Sequence, residues 1–206
     1  MADFEMPHFS LVPNIPTSPA WRPAAESSDF NHHKPALLEH YLCRTAESMS
    51  NGTHPVNVFV TQLVPAALCS DVVLHLILAQ SAAHRARHAG DNNDVALSLY
   101  SSSMKRFQRY VDKYVVDPKT DALPLALGTL VMCYTETARG DITGTIFDHL
   151  LAYPALLIHC LSSMPTGIRG VGGALPDFLV EYYFYTAAVS LVSIQGGQQT
   201  SMFAKL

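Results

Sequence analysis

Paired cysteines are missing from this 206-residue chain: Cys43, Cys69, Cys133 and Cys160 stand far apart, and no Cys-x-x-Cys occurs. Zinc ribbons, binuclear zinc clusters and thioredoxin-type sites need closely spaced thiolates, so these residues form none of them. Each cysteine falls in an apolar segment and reads as a small buried hydrophobe in a reducing compartment. Charge is also scarce. Charged residues make up 15% of the chain, with a net charge of −4. Duplex binding draws on clustered Lys and Arg that release counterions, so a sequence-specific DNA-binding surface is not expected. No apolar run approaches the roughly 18 residues of a membrane span, and Met1-Ala-Asp-Phe-Glu5 carries acids where a secretory signal carries bases.

Catalytic motifs are absent too. No serine sits in a Gly-x-Ser-x-Gly elbow, and the glycine-rich stretch Gly167–Gly173 has neither a Walker lysine nor a strand before it. His84 and His88 stand four apart, as two metal ligands on one helix face would. No glutamate of the His-Glu-x-x-His kind lies between them, and Arg85 and Arg87 repel cations, so they read as a polar helix end. Glu136 follows an apolar run; a buried carboxylate is a general-acid candidate, but pairing with an arginine is the commoner outcome. His32-His33 reads as solvated, Lys105–Arg109 as a solvated basic helix face, and Asn51-Gly-Thr53 as an unused glycosylation sequon. The chain therefore points away from an enzyme, with no catalytic residue, no metal ligand and no cofactor expected.

What is present is helical periodicity. Hydrophobic residues make up 49% of the chain, and no alternating strand pattern competes. Residues 1–34 hold Pro7, Pro13, Pro16, Pro19 and Pro23 and read as a Pro-rich extended or disordered tail. Six helices are expected after it. The first starts with Pro35 at its opening position and ends near Ser50, with Leu38, Tyr41, Leu42, Thr45 and Met49 on one side. The second spans about Asp71–His88. The third runs from an Asn93 cap to Val116, stopped by Asp117-Pro118, with Leu97, Tyr100, Met104, Phe107, Val111 and Tyr114 as an amphipathic stripe. A fourth, from a Thr120 or Asp121 cap to Arg139, is apolar nearly all round and should be central. The fifth covers about Ile146–Leu161, with a kink or break expected at Pro154. The sixth runs from Pro176 to about Ile194. The fold class is thus all-α, a stack of about six helices over residues 35–195, with a C-terminal tail at 196–206. At this length a single domain with a real core is the natural solution.

Several segments resemble, in order, the middle regulatory region of fungal-specific transcription factors of the zinc binuclear cluster type. Leu37–Ala46 resembles its opening helix, and Asn57-Val-Phe59 with Leu63-Val-Pro65 the approach to the second. Leu74–His84 carries the strongest match. Ala96–Tyr100 resembles the start of the third helix, Glu136–Asp141 followed by His149-Leu150 the corner between the fourth and fifth, and Phe178–Val192 the aromatic helix after them. The match covers about residues 36–195, the first half or so of the usual domain. Leu151-Ala-Tyr-Pro154 departs from the family's small and basic residues at that place. The resemblance implies a truncated relative without the DNA-binding cluster, acting in the nucleus as a transcriptional regulator or co-regulator, for instance of a secondary-metabolite pathway. Its partner would be another regulator or a second copy of the chain, because an aromatic last helix leaves apolar area to cover. A small-molecule effector is compatible with such a role; direct DNA binding and membrane association are not expected. A different outcome rests on Ala204, Lys205 and Leu206, a conservative variant of the Ser-Lys-Leu address, which points to a peroxisomal metabolic or accessory protein. A gene remnant without activity is the third reading.

Overall fold

The structure is a computed structural model that describes residues 28–50, 56–89, 93–117, 119–139, 145–163 and 174–202. Those residues are helical throughout their regular segments, with no strand among them. The elements are α1 (Ser28–His40), a π-helical turn at Tyr41–Thr45, α2 (Ala46–Met49), a second π-helical turn at Phe59–Leu63, α3 (Val64–Leu68), α4 (Asp71–Ala89), α5 (Asn93–Val116), α6 (Leu123–Arg139), α7 (Thr145–Ser163) and α8 (Ala174–Met202).

The all-α expectation holds, and α5 has the bounds read from its cap and stop signals. Asp121 starts α6 as expected: its Oδ1 accepts the Leu123 amide at 2.9 Å, satisfying one of the donors that a helix start leaves open. Other boundaries moved. The chain turns helical at Ser28, so Pro35 lies inside α1 and His32 and His33 are exposed on a helix rather than in a tail. Pro35 removes one backbone donor from α1, and the helix runs through it. Pro154 lies inside α7, as expected of a helix over about Ile146–Leu161, and α7 continues across it rather than breaking. At the other end α8 runs on to Met202, through residues expected to form a tail.

The π-helical turns had no counterpart in the sequence reading. At the first, the Ala46 amide bonds to the Tyr41 carbonyl five residues back, and at the second the Val64 amide bonds to the Phe59 carbonyl. Such wide turns rotate the residues after them relative to an α-helical wheel. Accordingly Leu37, Tyr41, Thr45 and Ala46 are buried while Leu42 and Cys43 face outward. Cys69, in the turn after α3, is exposed as well. Only Cys133 and Cys160 are the buried hydrophobes expected of all four, and burial pushes their thiols up to about 12 and about 11. On α5 the buried stripe is Ala96, Leu99, Tyr100, Ser103, Met104 and Phe107, with Leu97 exposed.

Two helices make the centre. Residues 73–83 of α4 and 124–133 of α6 are buried without interruption. α4 packs against α1, α3, α5 and α6, and α6 continues the stack onto α7 and α8. Close approach depends on small residues. A Cβ at Gly128 would lie 2.5 Å from Phe107 Cε2 and 3.0 Å from Leu76 Cδ1, so only glycine fits where α6 meets α4 and α5. Buried hydroxyls tie the stack together: Ser81 Oγ donates to the Leu37 carbonyl at 2.7 Å and Ser103 Oγ to the His75 carbonyl at 2.9 Å. Phe59 meets Tyr134, Phe178 and Tyr182 edge-on, with centroids 4.7–5.5 Å apart, in the T-shaped arrangement that ring quadrupoles favour.

Candidate functional site

The longest helix, α8, carries an apolar stripe on its surface. Along α8, Phe178, Leu179, Tyr182, Thr186 and Ser190 face inward, while Phe184, Tyr185, Ala188 and Val189 face solvent. Phe184 is 64% exposed and Val189 50%, values that are costly for large apolar side chains at roughly 25 cal/mol per Å² left in water. The inward side is anchored firmly. Tyr153 and Tyr183 stack with centroids 4.9 Å apart and an interplanar angle of 4°, and the Tyr153 hydroxyl donates to the Leu179 carbonyl at 3.2 Å. On the neighbouring α7, Leu151 and Ile158, two helical turns apart, are exposed too. No Asp, Glu, Lys or Arg interrupts residues 182–190. Aromatic and β-branched residues without charge are the composition of an interface core rather than of ordinary solvent-facing helix.

A second cluster joins α1 to the end of α4. His40 Nε2 and His84 Nδ1 lie 3.1 Å apart, and the His84 and His88 rings are 4.5 Å apart. One of the two bonded nitrogens must accept, so the contact requires at least one neutral ring. Desolvation lowers the His40 pKa, helped by the charge of Arg85; desolvation lowers that of His84, helped by His88. Among the described residues no group of three or more His, Cys, Asp or Glu side chains is placed to hold a metal ion. His40, from a distant segment, joins the His84–His88 pair noted in the sequence.

The third cluster surrounds Glu136. Its carboxylate accepts from the Tyr100 hydroxyl and from Arg139 NH1 at 3.1 and 3.2 Å, and the Arg139 guanidinium lies 4.4 Å from the centre of the Tyr100 ring. Burial and the adjacent Glu136 charge raise the Tyr100 pKa. Glu136 is therefore held between a phenol and a guanidinium, an arrangement that ties α5 to α6. One residue of the basic run on α5 is engaged as well. Arg106 pairs with Asp71 at 2.9 Å, Phe107 is in the core, and Lys105 and Arg109 are exposed.

Gly167–Gly173, Asn51-Gly-Thr53 and Ala204, Lys205 and Leu206 lie outside the described residues. Among the described residues no helix is long and apolar enough to cross a membrane. The model of the family described as fungal specific transcription factor domain matches residues 36–204, most of the chain. No curated protein matches, and no solved structure does.

Proposed function

We propose, from the premise that this chain belongs to the fungal specific transcription factor domain family, that it regulates transcription in the nucleus by contact with another protein chain. The α8 surface makes that contact. A transcription-regulator role comes with the family; the protein-contact mechanism is supported by the uncharged stripe of Phe184, Tyr185, Ala188 and Val189. A second copy of this chain is the occupant that fits. A stripe without charge meets its own two-fold copy with no like-charge opposition, and the isologous contact closes after two subunits.

The same mechanism leaves no direct DNA contact to these residues. Support comes from the net charge of −4 and from the basic run on α5, where Arg106 is engaged by Asp71. Tethering the chain to an unrelated DNA-binding module in a fungal reporter strain tests the reading. Reporter output should change severalfold, and the purified chain alone should give no sequence-dependent gel shift at about 150 mM salt, where weak phosphate binding fades. An unchanged reporter with the fusion present in the nucleus would refute the regulatory role; a sequence-dependent shift would refute its indirect mechanism.

A further inference from the structure

Where the C-terminal turns of α4 and α6 meet the first turn of α5, the fold leaves a half-open cavity of about 370 Å³. Ala83, Ala86 and Arg87 come from α4, Asn93, Ala96 and Leu97 from α5, and Ala138 and Arg139 from α6. The space exists because four of these positions are alanine. The volume falls within the range of small-molecule pockets, roughly 300–1,000 Å³.

Its charge is unequally balanced. Arg139 is fixed by its two bonds to Glu136 and by the Tyr100 ring beneath it. Arg87 donates NH1 to the Ala138 carbonyl at 3.3 Å, and no carboxylate among the described residues pairs with it. That single neutral acceptor leaves most of a guanidinium's five donors open, in a planar fork suited to a carboxylate. Among the described residues, the two arginines of the wall stand against one paired glutamate, a surplus of one positive charge. A monoanion complements it; a dianion would bring a second charge without a match.

We infer that this cavity binds a small monocarboxylic acid with an apolar body, the carboxylate on Arg87 and the body against Ala83, Ala86, Ala96 and Leu97. Arg139, held rigid by Glu136, lines the far wall and adds to the positive field. This site is separate from the α8 surface, so the inference goes beyond the proposed function and stands or falls without it.

The test uses 4-phenylbutyrate and its uncharged amide as probes, with calorimetric titration of the full chain. The acid should bind saturably, and the amide at least about tenfold more weakly, because a charge-assisted hydrogen bond is lost. Arg87→Met should weaken the acid about tenfold or more while the melting temperature is kept, since Arg87 is exposed. Ala86→Phe should abolish binding by filling the space while leaving Arg87 in place. Equal binding of acid and amide, an Arg87→Met variant within about twofold of the parent, or no saturable binding up to about 10 mM would overturn the proposal. A glutamate-containing peptide that binds through Arg87 while 4-phenylbutyrate does not would also overturn it, and would assign the cavity to a partner's acidic side chain.

Discussion

α4 and α8 are both long, sparsely charged helices, yet they end up in opposite environments. From Val73 to Ala83, α4 has no exposed residue, because Ala79, Ser81, Ala82 and Ala83 let α1, α5 and α6 close around it. α8 carries bulky rings where α4 carries small side chains, and among its described residues Phe184, Tyr185, Ala188 and Val189 are left uncovered. A helix that is apolar on every side belongs inside something. For α4 that enclosure is the domain itself; for α8 the proposed enclosure is another chain.

Breaking the enclosed half should produce the largest loss. Gly128→Ala adds the methyl group that would lie 2.5 Å from the Phe107 ring. Helix propensity alone favours alanine by about 1 kcal/mol, whereas overpacking costs about 1–3 kcal/mol. The expected net effect is a loss of about 1–2 kcal/mol in urea unfolding, and a gain would show that the contact between α6 and α5 is looser than described. Pro154→Ala probes the open half with a smaller effect of opposite sign. α7 already continues through Pro154, so an alanine there restores the amide that can bond to the Leu150 carbonyl. A stabilisation of about 1 kcal/mol is expected, and a falling melting temperature would show that neighbouring side chains have packed around the proline.

The smallest effect is pH dependence at the edge of the enclosed half. His40 and His84 have lowered pKa values in the fold, so the folded state disfavours their charged forms. Their contribution is complete above the ordinary histidine value of about 6.5 and is lost as pH falls below it, because the unfolded chain then binds more protons. Between pH 7.5 and 5.5 the melting temperature should drop, and His84→Gln should flatten that part of the drop. A parent and variant with parallel profiles would contradict the role given to the cluster.

Much of this arrangement was legible in the residues. Asn93 and Asp117-Pro118 bracket α5, Asp121 caps α6, and the unbroken apolar runs of α4 and α6 mark them as central. What escaped notice was set by wide turns or by distance. A π-helical turn has no composition of its own, so nothing in the sequence marks Leu42 and Cys43 as outward-facing or Phe59–Leu68 as helical. Pro35 reads as the start of a helix, yet α1 already begins at Ser28. His40 meets His84, and Arg87 meets Ala138, across sequence separations of 44 and 51 residues. The alanines around the cavity are ordinary helix formers until three helix ends bring them together. Glu136 was the exception, because a carboxylate after an apolar run must find a cation, and Arg139 stands one turn away.

The contrast between α4 and α8 is tested most directly by light scattering of the parent chain and of a Phe184→Asp, Ala188→Asp double variant, at about 50 µM protomer. The parent should have twice the 22.5 kDa mass of one chain. The variant should have the single-chain mass with an unchanged melting temperature, since both positions are exposed. A parent that is monomeric at that concentration, or a variant that remains dimeric, would contradict the assignment of α8 to a protein interface.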